Sequence, residues 1–97
     1  MTHITARYGQ SYTLTSSGHA GTTQSCTAVS AVVQALAGWV HNHTGTISLG
    51  KGEAIIAFPE QDGAKAVMDL AVIGLLQIEK AAPEDVTVDV IRVPGTP

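Results

Sequence analysis

The chain has 97 residues, enough for one small domain around a single core, residues 1–97, with the tail 94–97 expected to fray. Apolar residues make up 44% and charged residues only 13%, which excludes a disordered chain. The net charge is −3 and the five basic residues (Arg7, Lys51, Lys65, Lys80, Arg92) are scattered rather than clustered, so direct nucleic-acid binding is not expected.

Residues 4–8 and 11–15 are rich in Thr, Tyr and Ile and flank Gly9-Gln10, which predicts two strands joined by a two-residue turn with Gly first. From Ser25 the period changes. Val29, Val32, Val33, Leu36 and Val40 recur at steps of three and four, predicting a helix that ends near Gly45. Residues 46–49 and 53–58 flank Gly50-Lys51-Gly52 and read as a second hairpin, closed by Pro59. Ala64, Val67, Met68, Ala71, Val72, Leu75 and Leu76 mark a second helix with Asp62 as its N-cap and Pro83 as its stop. Val86, Val88 and Val90 alternate with Thr87 and Asp89 as a last strand. The order is β-β-α-β-β-α-β. The expected class is α+β, a mainly antiparallel sheet with two helices packed on one face. Glu84 and Asp85 read as a solvated turn. Trp39, Ile47 and Ile56 are expected to be left over from the core, and with so few charges the chain is expected to form a homodimer.

The chemistry centres on Cys26, the only cysteine, so no intrachain disulfide can form. It sits where the helical pattern begins. Amide groups not yet paired and the positive end of the helix dipole favour a thiolate there. His19 lies seven positions earlier, after a predicted strand and beside Gly18. A short loop brings its imidazole back toward the sulfur, the minimum equipment for nucleophilic catalysis by cysteine. Without Cys26 the histidine would read as a structural strand-end residue. Ser30 falls one turn after Cys26 on the same face. It either supports the pair or returns its hydroxyl to the carbonyl one turn back. His41 and His43, two apart on a helix, point to different sides with no third ligand nearby, so no metal and no other cofactor is expected. His3 reads as an exposed terminal residue.

The residues Gly18-His19-Ala20 at the end of a hairpin, followed by Cys26-Thr27-Ala28-Val29-Ser30 opening a helix, resemble the ribosomal-processing cysteine proteases, the Prp or YsxB-like family. Leu75-Leu76-Gln77-Ile78-Glu79, then Pro83 and the valine strand, are similar to that family's last helix and strand. The resemblance implies His19 and Cys26 as the catalytic pair, with Ser30 on the family's helix serine. It implies a homodimeric endopeptidase that removes a short extension from a ribosomal or phage structural protein. The chain departs from the family in two places. Only six residues separate His19 from Cys26, fewer than is typical, and Thr23 stands where an acidic residue is usual. The short loop predicts a more open site, with Gly18, Gly21, Thr22, Thr23, Gln24 and Ser30 supporting the pair or binding substrate, and backbone amides of the first helical turn holding the oxyanion. The competing reading is a non-catalytic homodimeric binding module, phage-encoded or not, that keeps the fold. No apolar signal-peptide core lies in the first twenty residues, and Asp69 interrupts the longest weakly polar stretch. A cytoplasmic protein with a peptide or protein substrate and no membrane partner is expected.

Overall fold

The computed structural model describes residues 1–19 and 21–93. The elements are β1 (Thr2–Tyr8), β2 (Ser11–Ser17), α1 (Thr23–His41), β3 (Thr46–Gly50), β4 (Glu53–Pro59), α2 (Ala64–Ala81) and β5 (Val86–Arg92). They form a five-stranded sheet in the order β3-β4-β2-β1-β5. All neighbours are antiparallel except β1 and β5. The expected tail at 94–97 lies outside the described residues.

Strict alternation along β1 turns Thr2, Ile4, Ala6 and Tyr8 inward, which is what one-sided burial of a pleated strand requires. Registers Leu14↔Ile56 and Ala6↔Leu14 carry that inward row across the sheet. Val29, Val33, Leu36 and Val40 from α1 and Met68, Ala71, Val72 and Leu75 from α2 cover it, so both helices lie on one face. Ile56 is fully buried in this layer and is not an apolar leftover, because it faces the helices beside Leu14. Trp39 is half-buried against the core and stacks on His43 with ring centroids 3.9 Å apart.

Three boundaries differ from the sequence pattern for local reasons. The first turn pairs Tyr8 with Tyr12, leaving three residues between them, and Gly9 keeps a negative φ. Helix α2 is capped by Gly63 in the left-handed region, φ +83°, with no side-chain cap, so Asp62 is not its N-cap. Helix α1 starts earlier than Ser25, with Thr22 as N-cap accepting the Ser25 N–H at 3.1 Å, and ends at His41.

At the β1–β2 turn, Tyr8 donates to Asp69 at 2.7 Å and Tyr12 donates to Glu60. Burial and the Asp69 acceptor hold the Tyr8 phenol above its ordinary value. The bond to Glu60, followed by burial, pushes Tyr12 to about 12. Both phenols are thus stabilised neutral by folding. That contribution is complete below 10.0, the ordinary phenol value, and is lost as pH rises through the raised values. Urea unfolding should therefore show stability falling above pH 10.0, with Tyr12→Phe flattening the slope. A slope identical in Tyr8→Phe, Tyr12→Phe and wild type would contradict this.

Candidate active site

The site lies at the sheet end opposite the tyrosines. β2 ends at Ser17, and the chain turns at Gly18, whose φ is +85°. A Cβ there would sit 2.3 Å from the Met1 carbonyl oxygen, so only glycine fits. The Gly18 N–H donates to the Gly52 carbonyl at 2.9 Å, tying the end of β2 to the tip of the β3–β4 hairpin. That hairpin closes with Gly50 opposite Glu53, so its turn is the pair Lys51-Gly52. The exposed imidazole of His19 rests on Gly52, since a Cβ added at that glycine would lie 2.8 Å from Nε2. The hairpin tip is thus the seat of the histidine ring.

Cys26 is half-buried near the start of α1. Its N–H donates to the Thr22 carbonyl at 3.0 Å, the bond that closes the first helical turn. The Ser25 N–H is taken by the Thr22 side chain. Two of the first-turn amides are therefore committed to the helix itself. His19 and Cys26 line one cavity of about 300 Å³, together with Gly18, Ser30, Leu49 and Glu53 among others. Gly21, Thr22, Thr23 and Gln24 are not among its described lining. Ser30 does line the cavity, one turn beyond Cys26.

The sequence pattern did not single out the other walls. Thr2 comes from β1, Ser16 from β2 and Ala54 from β4, three strands brought side by side only by the sheet order. Leu49, 53% exposed on the edge strand β3, gives the cavity an apolar lip. Its signal in the sequence was an alternating strand next to a glycine turn, which carries no hint of what lies across from it.

Asp85 overturns its reading as part of a solvated turn. It is buried at 7% exposure beneath the start of α1. Its Oδ2 accepts from Ser25 Oγ at 3.0 Å and from Thr22 Oγ1 at 3.1 Å. Those donors lie 60 and 63 residues away in the chain, so local composition could not reveal them. Glu84, its neighbour, is exposed. His3 is exposed and bonds Asp89 at 2.9 Å. Among the described residues no group of three or more His, Cys, Asp or Glu side chains is gathered as a metal site, and His43 turns its Nδ1 to the Trp39 carbonyl at 2.7 Å.

The chain shares its fold with a solved protease. The Staphylococcus aureus ribosomal processing protease Prp, in complex with a covalently linked product peptide, superposes with a TM-score of 0.80 at 18% identity, covering 93% of this chain and 99% of that one. The same enzyme with a substrate peptide gives 0.80 at 16% identity over the same shares of the two chains. SMU.848 from Streptococcus mutans gives 0.75 at 18% identity, covering 96% of each chain. No protein-family model matches the chain, and no curated protein does. At these identities the likeness establishes the architecture, that of Prp, over nearly the whole chain.

Proposed function

We propose that this protein is a cytoplasmic cysteine endopeptidase of the Prp type, removing a short peptide extension from a ribosomal or phage structural protein. The observation that carries the reading is the meeting of His19 and Cys26 in one cavity at the start of α1, on a fold shared with a protease solved with bound peptides. In this reading the Cys26 sulfur attacks the scissile carbonyl carbon while His19 takes the thiol proton. The C–N bond then breaks, His19 hands the proton to the leaving amine, and a thioester remains on Cys26. Water, deprotonated by His19, hydrolyses it. Ser30, one turn beyond Cys26 on the same cavity wall, would offer a hydroxyl donor there. The apolar lip at Leu49 and the edge of β3 suit an extended peptide, whose backbone can add to a strand edge. No described helix is long and apolar enough to cross a membrane.

The test is incubation with N-terminally extended ribosomal and capsid proteins, read by intact mass, with Cys26→Ser as the comparator. Wild type and variant behaving alike against every candidate would favour the inert module.

We also propose a homodimer, formed through α2 rather than the sheet. The outer sheet face is largely polar, with Thr5, Thr13 and Thr15 along its middle, whereas Leu70 is 69% and Ile73 55% exposed on α2. They stand three residues apart on one helix face, beside a groove of about 370 Å³ that Leu70 shares with Ala31, Val32 and Val67. Light scattering should give twice the chain mass, and Leu70→Asp with Ile73→Asp should give the monomer. A wild-type monomer at tens of micromolar would count against it.

A further inference from the structure

We propose that Asp85 is the positioning residue of the His19–Cys26 pair, a buried carboxylate that clamps the link between them from the start of β5. The link has six residues, 20–25, and Asp85 bonds two of them. Its Oδ2 takes the hydroxyls of Thr22 and Ser25, and Thr22 Oγ1 in turn accepts the Ser25 N–H. Gly21 lies close to the other oxygen, leaving no room for a side chain, since a Cβ there would stand 2.4 Å from Oδ1. The clamp is itself fixed through its main chain. The Asp85 carbonyl accepts the Thr2 N–H at 2.8 Å, and its N–H donates to the Ala82 carbonyl at 3.0 Å.

Electrostatics favour this placement. Helix α1 has 19 residues and no acidic residue in its first turn, so its N-terminal dipole has no carboxylate of its own. Asp85 brings one from the other end of the chain, and an anion at a helix N-terminus is stabilising. Histidine and cysteine are thereby held by separate devices. The hairpin tip seats the His19 ring on Gly52, and Asp85 fixes the helix start that carries Cys26. With Thr22 and Ser25 tied to Asp85, the start of α1 is held in place without a closing lid. Loss of the carboxylate would leave the Ser25 hydroxyl without its acceptor and Thr22 with only the Ser25 Oγ at 3.0 Å, loosening the helix start.

The consequence for His19 and Cys26 rests on the protease reading, so the test needs no substrate. Rates of Cys26 alkylation by iodoacetamide are measured in wild type, His19→Ala, Asp85→Ala, Asp85→Asn and the double variants, alongside hydrogen exchange at the Ser25 and Cys26 amides. His19→Ala should slow alkylation in wild type. In the Asp85→Ala background that effect should shrink by about five-fold, the signature of coupling between the two positions. Asp85→Asn, whose amide oxygen can accept both hydroxyl bonds, should preserve it. If the His19 effect is the same with and without Asp85 while only the melting temperature falls, Asp85 is merely structural and the proposal is overturned. Should Asp85→Ala not fold, Ser25→Ala removes one donor, keeps the Thr22 cap, and must show the same loss of coupling. If His19→Ala changes nothing even in wild type, the catalytic pair itself fails and exchange decides the clamp. In Asp85→Ala, a larger rise in exchange over wild type at Ser25 and Cys26 than at Leu36, in the middle of α1, upholds it, and a uniform rise overturns it.

Discussion

Replacing Cys26 with alanine is expected to abolish peptide cleavage while leaving the fold intact. The thiol is the strongest nucleophile among the described residues that line the cavity with the imidazole. Removing the nucleophile of a nucleophile–base pair typically costs on the order of 10⁴–10⁶ in kcat, because no later step can start without it. His19→Ala should cost less, about 10²–10⁴, since a thiol retains some reactivity without its base. The double variant should be no worse than Cys26→Ala alone, for the two groups act as a unit. Stability should barely move. The side chain is half-buried in a helical position, and alanine is the better helix former. The assay is kcat on an extended peptide substrate beside a thermal melt. Full activity in Cys26→Ala would sink the mechanism, and loss of activity together with a collapsed melt would leave the folded comparator Cys26→Ser to decide it.

Much of the architecture could be read from spacing alone. Val29, Val33, Leu36 and Val40 announce α1 because a helix must turn one stripe to the sheet, and that stripe is buried. The valines of β5 and the inward row of β1 follow the same logic at period two. The candidate pair was legible because His19 and Cys26 flank a strand end and a helix start, both local features. What stayed hidden depends on register and on distant partners. Asp85 looks like any acidic turn residue until β5 pairs in parallel with β1 and carries it under Thr22 and Ser25. Ile56 looks superfluous until β4 pairs with β2 and faces it toward the helices beside Leu14. The Cys26 amide seems available until Thr22 is recognised as the N-cap, which moves the helix start ahead of Cys26 and commits its N–H to the Thr22 carbonyl. The seat of the imidazole on Gly52 needs the hairpin tip to reach the end of β2, bringing together residues 33 positions apart in the chain.

Phe58→Ala should be among the most damaging single changes to stability. The ring is 1% exposed and stacks on Tyr12 at 5.3 Å and 30°, with the Trp39 ring edge-on at 5.7 Å. It closes the tyrosine end of the core, where the α1–β3 connection passes so close at Gly45 that a Cβ there would lie 2.8 Å from the Phe58 Cβ. Surroundings this crowded cannot collapse into the space a phenyl leaves, so the cavity persists and its cost adds to the lost transfer energy, about 3–5 kcal/mol in total. A domain of this size has roughly 5–15 kcal/mol to lose, so the variant should unfold at a much lower urea concentration. Phe58→Leu keeps most of the volume and should cost less, about 1–2 kcal/mol. The two variants also separate stability from chemistry. Phe58 faces Tyr12 at one end of the β2–β4 ladder, whereas Ala54, on the cavity wall, faces Ser16 near the other. A folded Phe58→Leu protein should therefore alkylate Cys26 at the wild-type rate. A slowed thiol in that variant, with the fold intact, would mean that packing at the tyrosine end reaches the helix start through α1, and the separation argued here would be wrong.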